Sequence, residues 1–348
     1  MNQLDKHIIS ETKSLSEALK RLNSLPYDKI LFVIDYNNRL KGSITDGDIR
    51  RGLLKNKSIE VKLESIVEKN PKFLFRKEKN LKNLIQLRDN GYKIFPVLDS
   101  QKRIIEIINF NKKRSYLPID ALVMAGGKGR RLYPLTSEKP KPLLKIANKP
   151  IIQYSIDNLI KYGVEDFWIA LNYLGDQVEK YFKNKNSNKI KYNFIKEGKP
   201  LGTIGAASKV KDFKNEIVMI INCDILTNLN FEEFFIDFKN SDAAMSIVTI
   251  PYKTTIPYGV IESDGKLIKN LIEKPTYTHY SNAGIYLIKK KYINKIPKEK
   301  SFNATELIML LVKSNKKVIS FPFSGYWLDI GKPEDYDKAN SDINIINQ

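Results

Sequence analysis

The apolar run Ile119-Asp120-Ala121-Leu122-Val123-Met124-Ala125 opens directly into Gly126-Gly127-Lys128-Gly129-Arg130-Arg131-Leu132. No other stretch narrows the fold as much. Glycine tolerates positive φ and lets backbone amides close around a ligand, so a strand that stops at consecutive glycines predicts a binding loop at the carboxyl edge of a sheet. The loop fits neither the Walker spacing nor the dinucleotide fingerprint. Apolar strands and amphipathic helices alternate beyond it: strands at 119–125, 166–171, 190–197 and 216–223, helices at 151–162, 175–183 and 203–210. That alternation predicts an α/β domain with a mostly parallel sheet, whose ligands lie beyond the carboxyl ends of the strands.

Charged groups follow in an order that suits phosphate chemistry. Arg131, and Lys141 in the segment Lys139-Pro140-Lys141-Pro142-Leu143-Leu144, can neutralise a polyphosphate. The apolar run IVMIIN ends in Cys223-Asp224, and Trp327-Leu328-Asp329-Ile330-Gly331 repeats the arrangement. Carboxylates at that edge can hold a hard cation through oxygen. Singly, each aspartate reads as a helix cap or turn residue. Together with the loop, Asp224 and Asp329 become metal candidates. Asp264-Gly265, between apolar segments at 258–275, predicts a hairpin.

The string Gly-Gly-x-Gly-x-Arg-Leu followed by Lys-Pro-x-x-Leu resembles the signature of sugar-1-phosphate nucleotidyltransferases, over roughly residues 119–340. The resemblance implies a Rossmann-like nucleotidyltransferase domain and catalytic roles for Arg131, Lys141, Asp224 and Asp329, the two aspartates sharing Mg²⁺ with the nucleotide phosphates. It places Ala125, Gly126, Gly127, Gly129, Arg131, Glu197 and Gly202 at the nucleotide, and Gly259, Glu273, Lys274 and Asn282 at the sugar phosphate. Arg130 departs from the small residue common at that position. Glu197 stands where the family reads the base. A carboxylate only accepts, so it matches the adjacent N1–H and N2–H₂ donors of guanine, whereas an amide suits a pyrimidine; the expected donor is GTP. The plainer reading of Glu273-Lys274 is a surface ion pair.

A repeat occupies the first third. Residues 14–22 and 80–88 read as amphipathic helix starts, each followed by an apolar strand ending in aspartate, at 30–35 and 94–99, and by a second strand, at 40–45 and 104–109. Neither copy can bury its sheet and helix alone, so the two are expected to pair. Together they resemble a tandem cystathionine-β-synthase-type (CBS) module, an α+β regulatory domain. The segment Gly42-Ser43-Ile44-Thr45-Asp46-Gly47-Asp48 carries the resemblance, which implies a regulatory nucleotide at Thr45 and Asp48 and a homodimer formed through the modules. In the second copy Glu106, Asn109 and Lys112 replace Gly42, Thr45 and Asp48, so at most one such site is expected; a turn capped by Thr45 without ligand is the alternative. Polar, basic residues 111–120 with Pro118 predict the boundary, giving domains 1–116 and 117–348. A CBS pair ahead of a guanylyl-type domain resembles the glucosamine-1-phosphate guanylyltransferases of bacterial legionaminic acid synthesis; mannose-1-phosphate is the competing substrate.

Composition excludes other classes. The net charge of +20 raises nucleic acid as a partner, but residues 1–114 hold 25 basic and 14 acidic groups and 115–348 hold 34 and 25, so neither half owns the charge. None of the ten arginines follows Arg131. Nucleic-acid binding is therefore not expected, and a salt-sensitive RNA-binding protein is kept only as an alternative. So is a non-catalytic nucleotide sensor built on the same folds. No apolar run approaches the roughly 20 residues of a membrane helix, and the N-terminus lacks the apolar core of a secretory signal. A cytoplasmic location without membrane attachment is expected. The single cysteine, Cys223, is expected to pack at a strand end, His7 to lie at the surface and His279 in a loop.

Overall fold

Each repeat of the first third folds into a three-stranded sheet with one parallel and one antiparallel pairing. The structure, a computed structural model, describes residues 6–25, 28–56, 58–185 and 189–342. It divides into two units, Met1–Tyr116 and Leu117–Gln348. In the first copy β1 (Ile8–Ser10), α1 (Leu15–Asn23), β2 (Ile30–Ile34), β3 (Leu40–Thr45) and α2 (Asp46–Asn56) follow in order. The second copy has β4 (Leu74–Phe75), α3 (Leu81–Asp89), β5 (Ile94–Leu98) and β6 (Ile104–Asn109). The sheets run β1-β2-β3 and β4-β5-β6.

Local chemistry fixes these pieces. Ser14 accepts from the Glu17 amide while the Glu17 carboxylate accepts from the Ser14 amide, so a capping box starts α1. The helix then turns Leu15, Ala18 and Leu22 inward. Asp35 accepts from the amides of Asn37 and Arg39, and Asp99 accepts in the same way from Gln101 and Arg103. The two copies thus share a turn as well as a sheet. They meet where Arg39 bridges Arg103 and the Leu40 amide donates to Lys102. No helix follows β6, because residues 111–114 are all polar and present no apolar face.

His7 corrects an expectation. It is buried, with Nδ1 3.0 Å from the Ile30 carbonyl. Beside it lies Asp28, also buried, which accepts from Asn109 (2.5 Å) and Asn111 (2.9 Å) and pairs with Lys112 (2.9 Å). The second copy's counterparts of Thr45 and Asp48 therefore hold a carboxylate of the first copy.

In the second unit a seven-stranded sheet carries everything else. Its members are β7 (Ile119–Met124), β8 (Asp166–Leu171), β9 (Lys191–Lys196), β10 (Ile217–Asn222), β12 (Met245–Thr255), β15 (Thr276–Lys289) and β16 (Val318–Pro322), in the order β9-β8-β7-β10-β15-β12-β16. Only β15 runs against its neighbours. Helices α4 (Ile151–Lys161), α5 (Gly175–Lys183), α6 (Phe231–Ser241), α7 (Ala304–Lys313) and α8 (Pro333–Ser341) are interspersed. Apart from the buried Asp120 in β7 and Asn222 at the end of β10, both strands read as apolar runs because both of their faces are covered. Each fully buried Ile, Leu or Val among them stabilises the unit by roughly 1.5–3 kcal/mol.

The helix expected at 203–210 is a single 3₁₀ turn, Gly205–Lys209. Its entry is captured from outside: the Ile204 amide donates to Phe302, Thr203 donates to Asn303, and the Thr203 hydroxyl accepts from Ala304. His279 lies on β15 rather than in a loop. A short pair, β11 (Ile225–Thr227) with β17 (Trp327–Asp329), and a hairpin, β13 (Val260–Asp264) with β14 (Leu267–Ile272), complete the unit. Among the described residues no helix is long and apolar enough to cross a membrane.

Candidate functional site

β7 and β10 are parallel neighbours with Met124 opposite Asn222, so the glycine loop and Cys223-Asp224 leave the sheet side by side. The Cys223 amide donates to Met124, the Ala125 amide to Ala170, and both side chains are buried. Burial pushes the Cys223 thiol up, with the Asp224 charge adding to the shift, so the sulfur is a packed strand end.

Antiparallel pairing of β11 with β17 sets Ile225 opposite Asp329, and the Ile330 amide donates to the Asp224 carbonyl. Two aspartates 105 positions apart are thereby brought together. Between them lies the buried Lys141, whose ammonium reaches Asp224 and stands 4.0 Å from Asp329. Burial pushes the Asp329 carboxyl above the usual range and the Asp224 charge adds to this, against the opposing pull of Lys141 and Arg131. The second carboxyl oxygen of Asp224 is buried with no hydrogen-bond partner among the described residues.

The loop closes over the same cluster. Gly129 has φ +61°, and a Cβ there would meet Thr136 at 3.0 Å and Lys141 at 3.1 Å. Thr136 donates to the Gly129 carbonyl and locks the turn. Arg131 lies against Gly331, where a Cβ would sit 3.0 Å from its guanidinium. Gly127 faces open space. Gly126 faces Glu197, whose Oε1 would be 3.5 Å from an added Cβ. Glu197 accepts from the Leu201 amide through its other oxygen, and burial raises its carboxyl above the ordinary value.

Ala125, Gly126, Gly127, Gly129, Arg131, Lys141, Glu197, Asp224 and Asp329 therefore fall along one edge of the sheet. Gly202 has a different setting: with φ +77°, it packs against Phe302 and Asn303, where a Cβ would meet backbone oxygen at 2.7 Å. Asn282 lies where β15 leaves the body, donating to the Tyr286 hydroxyl and accepting from the Gly284 amide. Gly259 and Glu273 are brought to each other, 3.0 Å from an added Cβ to the carboxylate. Both stand on the exposed hairpin with Lys274, and no described contact joins the three to Lys141, Asp224 or Asp329.

Sequence reasoning passed over Asn172 and Asn222. Asn172 supports Gly126 from beneath, 3.1 Å from an added Cβ, and donates to the Glu197 carbonyl. Asn222 faces Gly284, where a Cβ would come within 2.6 Å of its amide. Each sits at a strand's carboxyl end, a position that is itself the signal for both.

In the first unit, Thr45 donates by amide and hydroxyl to Asp48, which also pairs with Arg51. A cavity of about 460 Å³ is lined by Ile8, Ile34, Asn38, Asp99, Arg103 and Ile105 among others, but not by Thr45 or Asp48.

The nucleotidyl transferase family model matches residues 120–345, and the CBS domain model matches residues 5–55. Mannose-1-phosphate guanyltransferase of Debaryomyces hansenii is 33% identical over 224 residues, which cover 62% of this chain and 62% of that protein. A putative mannose-1-phosphate guanyltransferase of Sulfolobus acidocaldarius is 31% identical over 229 residues, covering 65% and 63%. The chain thus spans a little under two thirds of the length of these relatives. HddC from Yersinia pseudotuberculosis, solved in complex with GMP-PN, is 29% identical over 64% of this chain and 99% of its own, with a TM-score of 0.51. Because the first of these models takes in nearly the whole of the second unit and well over half of the sequence, the chain belongs to the nucleotidyl transferase family.

Proposed function

We propose that the second unit transfers GMP from GTP to a hexose-1-phosphate, giving a GDP-sugar and pyrophosphate. The observation that carries this reading is the buried Lys141 set between Asp224 and Asp329 beneath a glycine loop. The nucleophile, a sugar-phosphate oxygen, is already an anion, so attack on the α-phosphorus needs alignment and charge compensation more than a general base. Arg131 and Lys141 balance charge on the α-phosphoryl group and the leaving pyrophosphate. Glu197, beside Gly126, accepts from the guanine edge. Glu273 and Lys274 hold the sugar phosphate, with Gly259 and Asn282 along its pocket.

The donor set fits a magnesium ion. Asp224 keeps one buried oxygen without a partner among the described residues and faces a second carboxylate, and Mg²⁺ binds through one or two carboxylates plus substrate phosphates. Asp224 and Asp329 would hold it, and the chemistry it supplies there is neutralisation of developing phosphate charge.

Guanine has the support of relatives named guanyltransferases and of a guanine nucleotide in HddC. For the sugar, the same relatives' names favour mannose-1-phosphate. Glucosamine-1-phosphate, and with it legionaminic acid synthesis, rests on the order of a CBS unit ahead of the transferase. The CBS unit would regulate through a nucleotide at Thr45 and Asp48, and a GTP-consuming reaction suits the cytoplasm. The test is a matrix of four nucleoside triphosphates against mannose-, glucosamine-, N-acetylglucosamine- and glucose-1-phosphate, scored by pyrophosphate release with Mg²⁺. Pyrophosphate release from GTP with one of the four sugars is the expected result; release with none of the pairs would overturn the reading.

A further inference from the structure

At the carboxyl edge of the sheet, Asn222 ends β10 opposite Met124 of β7. On its other side the register sets Val218 against Ile288 and Ile220 against Tyr286, which carries Asn222 to Gly284 on β15. Cross-strand neighbours share a face. Asn282 follows on that same face of β15, one step further out, and its amide reaches the Tyr286 hydroxyl. Asn222 thus stands in a row that runs from the strand feeding the glycine loop to the residue assigned to the sugar pocket.

The asparagines along this edge differ in what engages them. Asn172 donates to the Glu197 carbonyl. Asn282 is engaged at both ends, donating to Tyr286 and accepting from the Gly284 amide. The half-buried Asn222 amide makes no hydrogen bond among the described residues. Packing nevertheless fixes its place: a Cβ on Gly284 would meet its Nδ2 at 2.6 Å and the Ile225 side chain at 3.0 Å. Glycine at 284 leaves the space that this amide occupies. An amide placed by packing and left unbonded can give its donor and its acceptor to a ligand.

The chemistry of a hexose-1-phosphate says which group it would meet. The phosphate sits on C1 and is drawn to Asp224, two residues beyond Asn222. Of the two ring neighbours of C1, the ring oxygen only accepts, so the substituent on C2 is the first group outward that can donate. It is also where the candidate sugars part. Mannose has an axial hydroxyl there, glucose an equatorial one, glucosamine an ammonium and N-acetylglucosamine an acetamido group.

We propose that Asn222 reads the C2 substituent of the sugar-1-phosphate and so discriminates between hexoses. Its amide oxygen accepts from a hydroxyl, ammonium or amide N–H at C2, while its Nδ2 donates to a hydroxyl or acetamido oxygen. The proposal rests on the guanylyltransferase reading above and adds to it the residue that selects the sugar.

The test compares wild type with Asn222→Ala on two acceptors, at subsaturating sugar with saturating GTP, so that the rate of pyrophosphate release reports kcat/KM for the sugar. One acceptor is the preferred hexose-1-phosphate; the other is 2-deoxyglucose-1-phosphate, which carries only hydrogen at C2. The substitution should lower kcat/KM for the first by about threefold to tenfold, the worth of one neutral hydrogen bond. It should leave the second unchanged, along with the KM for GTP and the melting temperature. Should the lost volume loosen the strand end, Asn222→Leu keeps the bulk without the amide and supports the same comparison. An equal loss on both acceptors, or no loss on either, overturns the proposal while the guanylyltransferase reading stands. A wild type that releases pyrophosphate with no substrate pair overturns both.

Discussion

The Lys141 ammonium joins Asp224 and lies 4.0 Å from Asp329, although the three residues come from a 3₁₀ turn, the turn between β10 and β11, and the end of β17, far apart in the chain. One buried cation between two carboxylates neutralises only one of them, and the surplus negative charge is what a divalent ion would use. Asp224→Asn and Asp329→Asn should each lower turnover by about 10²–10³ if charge stabilisation dominates. Steady-state pyrophosphate release checks this. Near-normal turnover in either variant would remove the pair from the mechanism.

Base selection should move with Glu197. Its Oε1 faces the loop at Gly126 while the other oxygen is engaged by the Leu201 amide, so one acceptor is presented to a base. Glu197→Gln replaces an acceptor-only group with an amide that also donates, matching the uracil or thymine edge. Preference for GTP over UTP or dTTP should fall by roughly tenfold to a hundredfold, the size of about 1.4–2.8 kcal/mol in a charged hydrogen bond. Competition assays with paired triphosphates measure the ratio, and an unchanged ratio would place the base elsewhere.

Gly129 should tolerate no side chain. Its left-handed backbone alone costs alanine roughly 1–2 kcal/mol, and an added Cβ would press on Thr136 and Lys141. Gly129→Ala should therefore lower the melting temperature of the second unit and also lower kcat, because Lys141 is displaced. Gly127→Ala, facing open space in a loop, serves as the control and should leave the melting temperature unchanged.

The glycine loop, the alternating strands and the repeat were legible because each is written in contiguous residues: a period, a turn pair, a string of glycines. Asp264-Gly265 likewise announced the hairpin, since turn chemistry is local. That the hairpin stands exposed was not legible, because alternation says which strands pair and not what covers them. The positive φ of Gly202, expected at the nucleotide, also serves an approach to Phe302 and Asn303, a hundred residues on, which no local pattern announces. His7 was misjudged for the same reason. The polar residues around it suggest solvent, while its burial comes from Asp28 and the Ile30 carbonyl on another strand.

That buried pair should make the first unit acid-sensitive. Burial holds the His7 imidazole below its ordinary value of 6.5, with Lys112 also disfavouring the charge and the Ile30 carbonyl and Asp28 opposing. The folded state thus keeps His7 neutral while the unfolded chain takes up a proton first. The unfolded form binds more protons as pH falls, so the stability present above about 6.5 is progressively lost below it. Asp28 adds a second loss at lower pH: burial raises its carboxyl, but donors from Asn111, Lys112 and Asn109 hold it below the ordinary 3.8, so its contribution disappears only under strong acid. Thermal melts of the full chain between pH 8 and about 5 should show a falling first transition in the wild type. In His7→Gln, whose amide can still donate to Ile30, that slope should flatten while the Asp28 contribution remains. Parallel curves for the two proteins would mean that His7 titrates identically in the folded and unfolded chains, against the burial seen here.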